Sequence, residues 1–186
     1  MNWANLVTYS RIALIPVVVS VYYSDMVYAN FLAALIFTIA AVSDWLDGYL
    51  ARRLDLSSEY GAFIDPVADK LLIAVVLLLL VTVYPVIWIA TSIIIAREIL
   101  VSALREWMAT RGNRDSVAVA FSGKLKTTVQ MIAIIALLLA GSSLPDWILT
   151  LGLGLIYLAA LLSIWSMVHY FRNAYEVLSP KEEDAS

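Results

Sequence analysis

The stretch from residue 43 to residue 70, SDWLDGYLARRLDLSSEYGAFIDPVADK, places aspartates between two strongly apolar runs. The run before it reads FLAALIFTIAAV over residues 31–42, and the run after it reads LLIAVVLLLLVTV over residues 71–83. Both runs are apolar enough to lie in lipid, where a charged side chain is expensive to place. Carboxylates at the junction of two such runs therefore predict a functional site.

The composition indicates a membrane protein. Of the 186 residues, 62 % are hydrophobic, which exceeds the apolar share of typical soluble domains. The chain contains no cysteine and a single histidine, which excludes a disulfide framework, a thiolate metal site and a polyhistidine metal site. The net charge of -3 says little about partners, and we expect no nucleic-acid partner.

The chain contains enough apolar segments for six transmembrane helices, each of which needs about 20 residues. They cover residues 5–24, 28–53, 60–84, 86–110, 116–141 and 147–173. We therefore predict an all-α integral membrane protein, with one membrane domain over residues 1–178 and a short acidic tail over residues 179–186. No basic residue precedes the first segment, so we expect a retained helix rather than a signal peptide. Gly152 and Gly154 in the last segment predict positions of close helix packing or, alternatively, of a dimer interface.

The basic residues predict the orientation. If both termini lie on one side, three turns near residues 25, 85 and 143 lie on the other, and none of these turns contains Lys or Arg. All twelve basic residues lie at or toward the side of the termini, which the positive-inside rule identifies as the cytoplasm. We expect both termini and the charged site to face the cytoplasm.

Four aspartates fall into two pairs with helical spacing. Asp44 and Asp47 are three residues apart, and Asp65 and Asp69 are four apart, so each pair occupies one helix face. The short connection predicts that the two helices are antiparallel neighbours, which lets all four carboxylates converge. Such carboxylates repel one another unless cations neutralise them, and an all-oxygen ligand set suits Mg²⁺ or Mn²⁺. Two such ions can hold the attacking and leaving oxygens of a phosphoryl transfer.

The full spacing is Asp44-x2-Asp47-Gly48-x2-Ala51-Arg52-x8-Gly61-x3-Asp65-x3-Asp69, and it resembles the signature of the CDP-alcohol phosphotransferase family. Stretches at residues 5–11, 96–98, 103–107 and 123–127 extend the resemblance to bacterial members whose acceptor is glycerol 3-phosphate. The resemblance implies transfer of the phosphatidyl group of CDP-diacylglycerol to glycerol 3-phosphate, with release of CMP. It also implies a homodimer in the bacterial plasma membrane, in contact with membrane lipids.

The resemblance also implies roles for single residues. Two divalent ions, Mg²⁺ or Mn²⁺, would be held by Asp44, Asp47, Asp65 and Asp69, and Asp69 would also be the catalytic general base. The CDP-diacylglycerol pocket would be lined by Gly48, Arg52 and Gly61. Asn5 and Thr8 on the first helix are further candidate nucleotide contacts, although polar residues are also common at helix starts.

A basic group further along the chain is a candidate site for the acceptor's phosphate. Arg97 and Arg105 are two turns apart and share a face of the fourth helix, and Lys124 and Lys126 enter the fifth. Arginine binds phosphate through two parallel hydrogen bonds, and lysine adds a point charge. Alternatively, the two arginines pair with Glu98, with Glu106 or with the aspartates. Adjacent helical residues project about 100° apart, so we expect the arginines to be available to a ligand.

Two other functions fit parts of the sequence. An enzyme of the same family could use inositol phosphate, serine or phosphatidylglycerol as acceptor, although the basic group disfavours an uncharged one. A cation transporter could use the aspartates as its ion site, but such sites usually lie near the bilayer midplane. The aspartates lie nearer one surface, and Gly48, Arg52 and Gly61 have no role in a transporter.

Overall fold

The structure is a computed structural model that describes residues 3–54, 59–111, 121–140 and 144–178. Side chains are described for residues 9–43, 67–68, 70–111, 125–140 and 144–175. These parts of the chain form six α-helices and no strand: α1 (Trp3–Tyr22), α2 (Ala29–Leu54), α3 (Glu59–Val83), α4 (Trp88–Thr110), α5 (Phe121–Leu139) and α6 (Trp147–Leu178). The all-α prediction is confirmed, and the predicted segments agree with the helices to within a few residues at most ends.

The break between α3 and α4 has a local cause. Tyr84 leaves the helical region, with φ -120° and ψ 75°. Pro85, which lacks an N–H, then opens a short 3-10 turn over Pro85–Ile87. The proline therefore ends one apolar helix and allows the next to begin without a long loop.

Side-chain hydrogen bonds show that three of the connections between helices lie at one end of the bundle. The Asn30 side-chain amide and the Tyr84 hydroxyl both donate to the Ala140 carbonyl, at 2.8 and 3.1 Å. The Tyr157 hydroxyl donates to the Val86 carbonyl at 2.6 Å. The turns that follow α1, α3 and α5 thus lie at the same end, as an up-and-down threading of the helices requires.

The helices pack around one apolar core. In the described part of the chain, α1 packs against both α2 and α3, α6 packs against both α4 and α5, and α2 contacts α5. Every helix contributes at least one side chain with no exposed surface: Val18, Phe37, Leu77, Ile94, Ile134 and Ile156. All six helices thus contribute to this core, and a second, smaller apolar cluster lies between α4 and α6.

The outer surface of the bundle is also apolar. Large exposed hydrophobic side chains occur along several helices, among them Ile39, Leu78, Ile99, Ile132, Leu161 and Trp165. Among the described residues, Pro85–Thr110 and Trp147–Tyr175 are long and apolar enough to cross a membrane by length and composition. A surface of this kind is typical of contact with lipid rather than with water.

One of the two glycines in α6 allows close helix packing. A Cβ atom added at Gly152 would lie 2.9 Å from the Leu137 side chain of α5, so close packing is confirmed there. An added Cβ at Gly154 meets open space in the described part of the chain, so the prediction of close packing is wrong for this glycine. Residues two apart on a helix project about 200° apart, and only one of them can face α5.

Candidate active site

The aspartate pairs lie on two continuous helices. Asp44 and Asp47 belong to α2, and Asp65 and Asp69 belong to α3. The helical backbone confirms that each pair shares one helix face. The side chains of these four residues and of Asn5, Thr8, Arg52 and Lys124, and the surroundings of Gly48 and Gly61, lie outside the described residues. Convergence of the four carboxylates therefore remains a prediction.

The donor set of the motif fits a hard divalent cation. No group of three acidic or histidine residues that could hold a metal occurs among the described side chains, and the four aspartates are not among those side chains. The motif itself offers carboxylate oxygens, and the chain has no cysteine thiolate to compete with them. Oxygen ligands of this type match the preference of Mg²⁺ and Mn²⁺.

A buried charged cluster joins α4 to α5. The side chains of Lys126 and Arg97 are almost inaccessible to solvent, with residue exposures of 1 % and 7 %. The Lys126 Nζ donates to Glu98 Oε1, and Arg97 Nη1 lies 3.4 Å from the same oxygen. Because Glu98 lies between two cations from different helices, it ties α4 to α5 and neutralises part of their charge.

The expectation that Glu98 points away from Arg97 is wrong. The Cβ directions of adjacent helical residues do diverge by about 100°. The arginine side chain is long and flexible enough to bend back, and its Nη1 reaches the neighbouring carboxylate. The alternative considered from the sequence, pairing of Arg97 with Glu98, is therefore correct for this arginine.

The same arginine also contacts α6. Arg97 Nη2 donates a hydrogen bond to Ser166 Oγ at 2.8 Å. The guanidinium carbons of Arg97 and Arg105 lie 5.8 and 5.6 Å from the centroid of the Tyr170 ring. Both distances are within the range of a cation–π interaction. The prediction that Arg97 and Arg105 share a face of α4 is confirmed, because both contact one tyrosine.

Reasoning from the sequence did not predict that side chains of α6 contact the arginines of α4. Ser163, Ser166 and Tyr170 are spaced by three and four residues, so they form a polar stripe on one face of an otherwise apolar helix. All three are buried. This stripe is the signal that could have indicated a role for α6 beside the arginines.

One donor in the cluster has no partner among the described residues. It is the Nε of Arg97, in a side chain that is almost fully buried. A buried donor without an acceptor costs free energy. In the described part of the chain, the two buried cations Arg97 and Lys126 also share the single carboxylate of Glu98. Such a site is suited to a small anion with several oxygens.

A cavity connects this cluster with the motif helix. It has a volume of about 270 Å³ and lies between α3 and α4. Lys70, which directly follows Asp69, and Glu98 both line it, and its other walls are apolar. The basic cluster therefore lies beside the part of α3 that carries the last aspartate of the motif.

Comparison with known proteins identifies the class. Residues 1–165 match the family model for CDP-alcohol phosphatidyltransferase. The match covers most of the chain, so the protein belongs to this family, and the resemblance seen in the aspartate motif is confirmed.

Bacterial relatives are similar along nearly the whole chain. A protein of Pectobacterium atrosepticum named CDP-diacylglycerol–glycerol-3-phosphate 3-phosphatidyltransferase is 48 % identical over 182 residues, which cover 96 % of this chain and 98 % of the relative. Proteins with the same name from Escherichia coli K12 and Shigella flexneri serotype 5b are 47 % identical over 175 residues, covering 93 % of this chain and 94 % of each relative.

Proposed function

We propose that this protein transfers the phosphatidyl group of CDP-diacylglycerol to a hydroxyl of glycerol 3-phosphate. The acceptor oxygen forms a new bond to the β-phosphorus of the donor, the bond from that phosphorus to the bridging oxygen breaks, and CMP leaves. The products are CMP and phosphatidylglycerol phosphate. The relatives that share nearly half of its residues carry this activity as their name.

The buried cluster of Arg97, Lys126 and Glu98 beside α3 is the structural observation that best supports the proposed function. Among the described residues, the cluster holds more positive than negative charge, and none of them accepts a hydrogen bond from Arg97 Nε. Buried charge without a counterion is strongly unfavourable, so an acceptor with no net charge, such as zwitterionic serine, fits the cluster poorly. A phosphorylated acceptor supplies both the negative charge and the missing hydrogen-bond acceptor. In this proposal Arg97, Arg105, Lys124 and Lys126 bind the phosphate of glycerol 3-phosphate.

The motif residues act on the donor. Asp44, Asp47, Asp65 and Asp69 would hold two Mg²⁺ or Mn²⁺ ions, which supply positive charge to the pyrophosphate when bound. Asp69 accepts the proton of the attacking hydroxyl, as general bases do when they are within hydrogen-bond reach. Gly48, Arg52 and Gly61, with Asn5 and Thr8 of α1, form the pocket for the cytidine and the pyrophosphate.

We further propose that the enzyme spans the bacterial plasma membrane six times as a homodimer, within a single domain over residues 1–178. The turns near residues 25, 85 and 143 carry no Lys or Arg, which supports placing them outside the cytoplasm. The hydrogen bonds of Asn30 and Tyr84 to Ala140 hold these ends of the helices together. The active site and both termini then face the cytoplasm, and the acidic tail over residues 179–186 lies outside the described residues.

Transfer of labelled glycerol 3-phosphate to CDP-diacylglycerol in detergent tests the reaction. We expect lipid-soluble product and CMP in equal amounts with Mg²⁺ or Mn²⁺, and neither with EDTA. Asp69→Asn removes the proposed base and a metal ligand, and it should lower kcat by at least about a hundredfold. Asp146→Asn, which changes an exposed carboxylate in the turn before α6, is the matched control and should retain full activity.

The same assay separates the alternatives. Activity with inositol phosphate or serine but not with glycerol 3-phosphate would keep the family mechanism and overturn the assigned acceptor. Absence of transfer to any acceptor, together with uptake of divalent cations into vesicles that contain the protein, would favour a transporter.

A further inference from the structure

Two side chains of α6 hold the arginines of α4 from the opposite side of the cluster. Ser166 accepts a hydrogen bond from Arg97 Nη2 at 2.8 Å, and Tyr170, one turn further along α6, contacts both Arg97 and Arg105 through its ring. Ser166 and Tyr170 are 0 % and 3 % exposed, so neither contact is at the surface. The face of α6 that carries Ser166 and Tyr170 therefore packs against the arginines of α4.

A single aromatic ring joins two widely spaced positions of α4. Arg97 and Arg105 are eight residues apart, which corresponds to about 12 Å along the helix axis. Arginine side chains are flexible, and holding two of them in fixed positions costs conformational entropy. Both guanidinium carbons lie within 6 Å of the Tyr170 ring centroid, where the negative face of the ring attracts cations. The ring thus reduces the freedom of both arginines before a ligand arrives.

We propose that Tyr170 is a positioning residue, which orients Arg97 and Arg105 so that together they bind the phosphate monoester of the acceptor. The inference rests on the proposed function, because it assigns Tyr170 to the acceptor side of the same site. Tyr170 makes no contact with the reacting atoms in this account. It acts by preorganising the two arginines, which raises affinity for the phosphate without a new ligand contact.

The test compares Tyr170→Leu with Tyr170→Phe. The leucine variant removes the aromatic face, whereas the phenylalanine variant keeps it. We expect Tyr170→Leu to raise the KM for glycerol 3-phosphate by about tenfold, with the KM for CDP-diacylglycerol within about twofold of wild type, which corresponds to the loss of one or two cation–π contacts. Tyr170→Phe should stay within about twofold for both substrates.

A matched variant distinguishes a role of Tyr170 in positioning the arginines from a role in packing the apolar cluster. Tyr170 packs in a small apolar cluster with Val101, Met108 and Ala174. Met108→Ala disturbs that cluster without removing the ring, so it should lower the melting temperature in detergent and leave the KM for glycerol 3-phosphate unchanged. Tyr175→Leu changes an exposed tyrosine of the same helix and should alter neither quantity. The inference is overturned if Met108→Ala raises this KM as much as Tyr170→Leu, or if Tyr170→Leu leaves it unchanged.

A binding measurement tests the role of Tyr170 independently of whether the protein catalyses the proposed reaction. The rise in melting temperature of the detergent-solubilised protein with glycerol 3-phosphate, or with inorganic phosphate, reports binding without turnover. If wild type shows this rise and Tyr170→Leu does not, the positioning role stands even when no lipid product forms. If neither compound stabilises wild type, the phosphate site fails and the role of Tyr170 fails with it.

Discussion

Among single residues, Lys126 is informative because its charge lies inside the bundle. It is 1 % exposed and donates to Glu98. Lys126→Met keeps most of the side-chain volume and removes the ammonium group. Arg97 can still pair with Glu98, so the carboxylate keeps a partner. We expect the KM for glycerol 3-phosphate to rise by about tenfold or more, because a charge-assisted contact to the phosphate is lost.

Arg111→Met is the matched control for this change. Arg111 is an exposed basic residue that follows α4, and its guanidinium carbon lies 5.0 Å from the centroid of the Trp107 ring. Its replacement should leave the KM for glycerol 3-phosphate within about twofold of wild type. Equal effects of the two substitutions would show that general positive charge, rather than the buried cluster, governs binding of the acceptor.

At the scale of the helices, the crossing of α5 and α6 depends on Gly152. A methyl group there would lie 2.9 Å from the Leu137 side chain and 3.2 Å from the Leu137 backbone nitrogen. Gly152→Ala should therefore separate the helices and cost about 1–3 kcal/mol of stability, as overpacking does. The midpoint of unfolding in detergent measures this loss.

Gly154→Ala provides the comparison on the same helix. An added methyl at this position meets open space in the described part of the chain. Alanine is the better helix former, so stability should stay constant or rise by up to about 1 kcal/mol. If both alanines destabilise the protein equally, the α5–α6 contact is not the reason that Gly152 is needed.

At the scale of the whole molecule, the absence of cysteine allows a direct test of topology. Asp25 and Asp146 are exposed in turns proposed to lie outside the cytoplasm, whereas Arg111 follows α4 on the opposite side. Single cysteines at Asp25 and Asp146 should react with a membrane-impermeant maleimide in intact spheroplasts. Arg111→Cys should react only after permeabilisation. Labelling of all three in intact spheroplasts, or of Asp25 and Asp146 from different sides, would contradict the six-span arrangement.

The helices could be predicted from the sequence because their cause is local. A run of about 20 apolar residues satisfies its backbone groups only as a helix when it lies in lipid, and polar or proline-containing breaks limit each run. The predicted fourth segment, residues 86–110, differs from α4 by two residues at its start, where Pro85 opens a 3-10 turn instead. The family could also be predicted, because the motif from Asp44 to Asp69 lies within one short stretch of the chain.

The partners of the buried charges could not be predicted in the same way. Adjacency along α4 suggested that Glu98 points away from Arg97, yet the two form an ion pair. Spacing along α6 did not distinguish Gly152, which faces Leu137, from Gly154, which does not. In both cases the contacts of a residue depend on which neighbouring helix lies opposite it and on which conformation its side chain adopts.

The sequence by itself thus determined the helical class, the family and the two aspartate pairs, because each of these follows from residues close together in the chain. Only the tertiary structure decided that Arg97 meets Ser166 and Tyr170, which are more than sixty residues away. It also decided that Lys126 of α5 pairs with Glu98 of α4. These contacts arise because α6 packs against both α4 and α5, and the packing of distant helices depends on the shape of the whole core.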